Sequence, residues 1–213
     1  MADHGKRPAL FRNRVPLVLA SKSPRRRELL SSVGLSFEVF PAEVDESLPP
    51  GVSPEEAVKG LARRKAQAVA QRAGSEAAVL AADTLVVQAG RFLGKPRDLA
   101  EARRMLKSLS GAWHEVFTGV ALAFRQKEKV FFTCTRVRFR DLLPEEIEAY
   151  LATGEPLGKA GAYAIQGLAA AFVVEVQGSV TGVVGLPLAE TLKLLLEEAL
   201  IEPTPCEGFK DGA

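Results

Sequence analysis

The chain has 213 residues, 47% hydrophobic and 25% charged, which suits one globular domain or two closely joined lobes. A net charge of +2 argues against a surface built to coat nucleic acid, so any anion site must come from local clusters of Lys and Arg. Two cysteines far apart and two histidines argue against a thiolate zinc site, a disulfide framework or a His-rich metal centre, and a Ser-His-Asp triad would have to use His114. No run approaches the ~18 apolar residues of a membrane span. Residues 1–14 lack the pattern of a signal peptide and are expected to be an extension, which leaves the cytoplasm as the expected compartment.

Residues 15–20 read as a buried strand. Ser23 and Pro24 predict an N-cap and first helical residue, with a helix to about Val33 stopped by Gly34. Residues 37–40 read as a second strand, and residues 41–50 as a polar loop with Glu43, Asp45 and Glu46. Ser53-Pro54-Glu55-Glu56 is a capping box, opening a helix to about Arg72. Residues 79–87 form an apolar run with the length of a central strand. Asp98 with Glu101 caps a helix ending near Leu109. Residues 114–124 and 129–139 predict an antiparallel pair, in which Val137 and Phe139 alternate with Arg136, Arg138 and Arg140. Residues 144–151 predict a short helix, and residues 158–167 are rich in glycine. Residues 172–176 and 180–184 read as strands, residues 187–200 as an amphipathic helix, and the chain from Pro203 as a loose tail. Crossovers mixed with hairpins predict an α/β fold around a mixed sheet, over residues 15–201, with a tail at 202–213.

Five features point to chemistry. Arg25, Arg26 and Arg27 stand in the first turn of a helix, where each cation costs about 0.3–1 kcal/mol against the helix dipole. A bound phosphate would offset that conflict, and a solvated basic surface is the other reading. Asp83 is a lone carboxylate within an apolar strand, which is costly unless it is paired or bound to metal. Lys65 falls on the apolar stripe of Val58, Leu61, Ala62, Ala68 and Val69. It either snorkels to an edge or reaches a carboxylate or phosphate. Glu46, in the acidic loop, and Asp83 are the kind of carboxylates that magnesium takes together with water and phosphate oxygens. The glycine-rich segment with Gln166, and Lys95 beside Pro96, suit close approach to a ligand or an ordinary turn. No G-x-x-x-x-G-K-[ST] loop exists.

These segments together resemble the Maf family of nucleoside triphosphate pyrophosphatases. The likeness spans residues 17–200. It rests on L-A-S-K-S-P-R-R at 19–26, E-V-D-E at 43–46, A-D-T at 82–84 and G-K-P at 94–96. L-S-G at 109–111, K-A-G-A-Y-A-I-Q-G at 159–167 and V-G-L-P at 184–187 complete it. The resemblance implies a two-lobed mixed sheet flanked by helices, similar to the inosine triphosphate pyrophosphatase fold, with the active site in a cleft between lobes. It implies Asp83 as proton acceptor, and Arg25, Thr84 and Gln166 as the residues of base choice. It places Ser21, Arg26, Glu46, Lys65 and Lys95 at other cleft positions. Arg-Thr-Gln is the pattern of the branch acting on dTTP and UTP. The implied mechanism has Mg²⁺ or Mn²⁺ on Glu46 and Asp83, with Lys65 and Lys95 beside the phosphates. Neither a nucleic-acid polymer nor a membrane is an expected partner, and a homodimer is one assembly common in the family. Gly158 and Ala164 depart from the family's D-K-A-G-A-Y-G-I-Q-G. Two other readings stand beside this one: a nucleotide-binding regulator of cell division without turnover, and a house-cleaning enzyme for non-standard purine triphosphates.

Overall fold

The computed structural model describes residues 9–205. In chain order the elements are β1 (Phe11–Asn13), β2 (Leu17–Leu19), α1 (Pro24–Ser32), β3 (Glu38–Val39), α2 (Pro54–Ala73), β4 (Ala78–Gln88) and β5 (Arg91–Leu93). They continue with α3 (Leu99–Leu109), β6 (Trp113–Phe124), β7 (Lys127–Phe139), α4 (Pro144–Ala152), β8 (Val173–Gln177), α5 (Val180–Val184), α6 (Leu188–Glu197) and β9 (Ile201–Pro203). Two short 3₁₀ turns lie between α4 and β8.

The main sheet follows the path β3-β2-β4-β6-β7-β8, with β5 also paired to β4. β2 runs parallel to β3 and β4, and the remaining pairs are antiparallel. The expected mixed α/β architecture is present. One edge of β4 is fully paired with β6 over residues 79–87. On its other edge β2 covers residues 78–80 and β5 covers residues 86–88. Residues 81–85 have no strand beside them there, and this gap in the sheet holds Asp83 and Thr84. Apolar packing divides at the same level. Val86, Leu106, Leu109, Phe139 and Tyr163 form one core, and Leu19, Leu30, Leu80, Leu186 and Leu195 form another. Each of those fully buried leucines contributes about 1.5–3 kcal/mol of burial free energy.

The helix that matters most is α2. Ser53 Oγ accepts from the Glu56 N–H at 3.2 Å, and the Glu56 carboxylate accepts from the Ser53 N–H at 3.4 Å. This is the capping box expected from the sequence, and Gly74 ends the helix. Its buried stripe is Val58, Leu61, Ala62, Lys65, Ala66 and Val69. Ala66 rather than Ala68 completes it, because the stripe drifts around a helix of 3.6 residues per turn. α2 lies close on β6 at Gly119, where a Cβ would run into the Val58 carbonyl. Gly119 pairs directly with Asp83. The close approach sets how far Lys65 must reach.

Two expectations need correction. Residues 180–184, expected as a strand, form the one-turn helix α5. The β-branched run Val-Thr-Gly-Val-Val misled the reading. Ser179 Oγ accepts from the Gly182 N–H at 3.1 Å, and Gly185 closes the turn at φ 128°. Local capping and packing against β6 override strand propensity. The expected tail at 202–213 is not loose at its start: Glu202 and Pro203 belong to β9, which pairs antiparallel with β1, Asn13 standing opposite Ile201. This pairing also takes residues 11–13 of the expected extension into the fold. The remaining tail, Cys206 included, lies outside the described residues.

His114 on β6 is 2% exposed, and its Nε2 lies 2.8 Å from the Tyr163 hydroxyl. Burial lowers its pKa from 6.5 to about 4. A histidine buried neutral stabilises the fold above its unfolded pKa, and that stability fades as pH falls from about 6.5 toward 4. The full difference is on the order of 3 kcal/mol. Urea titrations of wild type and His114→Gln between pH 7 and 4 are expected to show the wild type losing this extra stability, with a shallower slope in the variant.

Candidate active site

The turn before α1 builds the first wall of the site. Ser21 Oγ accepts from the Ser23 N–H at 3.2 Å and from Arg26 Nη1 at 3.1 Å. Both lone pairs are taken, so its own proton is free to donate. No side chain caps the first turn of α1. Its unpaired N–H groups and partial positive charge are suited to an anion. Arg26 is fixed by two further bonds, from Nε to the Gly185 carbonyl at 2.7 Å and from Nη2 to Thr84 Oγ1 at 3.2 Å. Three of its five N–H groups are thus engaged, and two remain. Burial lowers the pKa of this guanidinium, and Asp83 opposes that shift.

The second wall is the open edge of β4 with α2 behind it. Lys65 Nζ meets Asp83 Oδ1 at 2.5 Å and Glu46 Oε1 at 2.6 Å. Asp83 is 8% exposed and Lys65 9%, so the pair is taken out of water while still lining the cleft. Glu46 comes from the loop after β3. The hydrogen bond from Lys65, above other causes, holds its carboxyl below the usual range, with Lys95 and Arg26 adding to the effect. Arg64, one residue before Lys65, donates to the carbonyls of Asp45 at 2.7 Å and Ser47 at 3.2 Å. These bonds pin the acidic loop on either side of Glu46.

The third wall is the turn after β5 with the glycine-rich segment. The Gly161 N–H donates to the Gly94 carbonyl at 3.1 Å, joining the Lys95 turn to residues 159–162. Gly161 stands at φ 69° against Val86. A Cβ would crowd that valine, and the backbone angle favours glycine. Lys159 Nζ donates to the Glu155 carbonyl at 2.5 Å. Burial first, then Arg25, lowers the Lys159 pKa. The carboxylate of Glu155 accepts from the Tyr150 hydroxyl at 2.8 Å and the Leu168 N–H at 3.1 Å. Gln166 lies in the chain between Tyr163 and Leu168 and lines the cleft. Gly158 has open space around it, and Ala164 is buried without a left-handed angle, so both departures from the family pattern fit the backbone.

All nine residues singled out in the sequence line one cleft of about 540 Å³: Ser21, Arg25, Arg26, Glu46, Lys65, Asp83, Thr84, Lys95 and Gln166. Arg25 Nε is buried there without a hydrogen-bond partner among the described residues. Lys95 and Gln166 are exposed. Sequence reasoning missed Arg64, Glu155 and the carbonyl of Gly185. Each acts through geometry between elements that no local spacing encodes.

The sequence model described as Maf-like protein matches residues 16–198. The chain belongs to that family. A Maf-like relative from Hahella chejuensis, named dTTP/UTP pyrophosphatase, is 51% identical over 183 residues, 85% of this chain and 91% of its own. Relatives of the same name from Anaeromyxobacter sp. (strain Fw109-5) and Pelotomaculum thermopropionicum are 56% and 53% identical. Each aligns over 84% of this chain, and over 87% and 94% of their own lengths respectively. Among solved structures, the Staphylococcus aureus Ham1 protein is similar over 59% of this chain and 72% of that chain, at 16% identity and a TM-score of 0.39.

Breaking a buried ion pair from one side leaves an uncompensated charge. Lys65→Met is therefore expected to destabilise the fold by about 3 kcal/mol in urea denaturation. The double variant Lys65→Met with Asp83→Leu should recover much of that loss.

Proposed function

We propose that this chain is a nucleoside triphosphate pyrophosphatase that hydrolyses dTTP and UTP to the nucleoside monophosphate and pyrophosphate. One observation carries the reading: Arg25, Arg26, Lys65 and Lys95 converge with Asp83 and Glu46 in a single cleft. Relatives at 51–56% identity that are named for this activity support it.

The donor set fits a hard divalent cation. Lys65 meets one oxygen of each carboxylate, and no hydrogen bond among the described residues takes the other oxygen of Asp83 or Glu46. No group of three or more His, Cys, Asp or Glu forms a ligand cluster among the described residues. Two carboxylates, completed by water and phosphate oxygens, are what Mg²⁺ accepts, and Glu46 and Asp83 would hold it or Mn²⁺. When bound, such a cation supplies charge neutralisation along the triphosphate and polarises a phosphoryl oxygen.

The chain's own residues do the rest. Asp83 accepts the proton of a water molecule as that water attacks the α-phosphorus. The new oxygen–phosphorus bond forms while the bond from the α-phosphorus to its bridging oxygen breaks. The electron pair leaves with pyrophosphate. The two free N–H groups of Arg26, with Lys65 and Lys95, neutralise the charge that builds on the leaving group. Ser21 donates its free hydroxyl proton to a phosphate oxygen. Arg25 and Gln166 line the same cleft and are suited to reading a pyrimidine.

Asp83→Asn is expected to keep its circular dichroism and lower kcat on UTP by about 10²–10⁴-fold in a pyrophosphate-release assay. A chelator should stop the wild type, and added Mg²⁺ or Mn²⁺ should restore it. A wild type that binds UTP yet releases no pyrophosphate over hours would return the chain to the class of nucleotide-binding regulators.

A further inference from the structure

Thr118 reads in the sequence as an ordinary strand threonine. It sits on β6 opposite Thr84, fully buried. Its hydroxyl donates to the Gly182 carbonyl of α5 at 2.8 Å. A carbonyl only accepts, and a threonine has one hydroxyl proton. The 3.0 Å contact between the Thr84 and Thr118 hydroxyls therefore has Thr84 as the donor. Arg26 Nη2 in turn donates to Thr84 Oγ1 at 3.2 Å. The protons run one way, from guanidinium to Thr84 to Thr118 to α5. Gly185, just past the end of the same short helix, takes Arg26 Nε directly at 2.7 Å. The guanidinium is held twice by one element, once through its carbonyl and once through two threonines.

We propose that Thr118 is a positioning residue for Arg26, acting through Thr84. The inference rests on the reading that Arg26 grips the triphosphate. With its proton committed to Thr118, Thr84 cannot donate to a carbonyl of a pyrimidine unless the chain breaks. Valine at 118 keeps the shape but removes the acceptor. The Thr84 proton then loses its partner, its half-buried hydroxyl turns, and Arg26 loses one of its restraints. The Gly182 carbonyl keeps the Gly185 N–H at 3.0 Å, so α5 retains its own bond.

The test compares wild type with Thr118→Val, Thr118→Ser, Thr84→Val and the Thr118→Val/Thr84→Val double variant, each checked by thermal melting. Thr118→Val and Thr84→Val should each lower kcat on UTP and dTTP by about tenfold, and Thr118→Val should keep the UTP to CTP preference within about twofold. The double variant should be no worse than Thr84→Val, because both break one chain of bonds. Thr118→Ser should restore wild-type rates. Independently of turnover, the Nη protons of Arg26, assigned with Arg26→Lys, should give distinct NMR resonances in wild type and Thr118→Ser and merge in Thr118→Val. Distinct Nη resonances with undiminished kcat in Thr118→Val would overturn the proposal. A wild type without pyrophosphate release would sink the pyrophosphatase reading only, and the resonances would still decide the role of Thr118. Should Thr118→Val fail to fold, Thr118→Ala carries the same comparison.

Discussion

Lys65 can lie on the buried stripe of α2 because Asp83 and Glu46 meet its ammonium at hydrogen-bonding distance. Each partner makes the others tolerable in a setting where any one alone would be costly. The triad needs three structural conditions. β4 must be open at residues 81–85, α2 must come close to β6 at Gly119, and the acidic loop must be pinned by Arg64. The interruption of the sheet between β2 and β5 therefore exposes Asp83 from one side only. A carboxylate that is almost wholly buried and still open to a cleft can take a proton from a bound water.

The arginines solve a different electrostatic problem. Cations in the first turn of α1 oppose the helix dipole. Arg26 is compensated by a carbonyl at the C-terminal end of α5, by Ser21 and by Thr84. Arg25 has a buried Nε with no such partner among the described residues. The protein thus holds one guanidinium by three bonds and leaves the buried Nε of its neighbour unpaired among the described residues. Gln166, exposed in the same cleft, is carried by a segment anchored through Tyr163 to His114 and through Leu168 to Glu155, and the Lys95 turn is tied to that segment by the Gly161 N–H on the Gly94 carbonyl.

Much of this was legible in the residues themselves. The capping box at Ser53, the Asp98 cap and the alternation along β7 each encode their element locally. Asp83 and Lys65 announced themselves as charges placed where the local pattern asked for apolar groups. The illegible parts are non-local. β1 and β9 stand at opposite ends of the described chain, and short polar segments give no sign of pairing. Residues 180–184 carry strand-like side chains, and their helical turn depends on Ser179 and on contacts with β6. Thr118 has nothing in its neighbourhood to mark it, since its meaning lies in Thr84 across the sheet and Gly182 beyond it.

In the proposed reaction Asp83 directs water at the α-phosphorus while the cationic wall holds the phosphates that leave. Hydrolysis of UTP in water enriched with oxygen-18, followed by mass spectrometry of both products, tests it most directly. The account predicts one labelled oxygen in the uridine monophosphate and none in the pyrophosphate. Label in the pyrophosphate, or release of labelled orthophosphate, would contradict it.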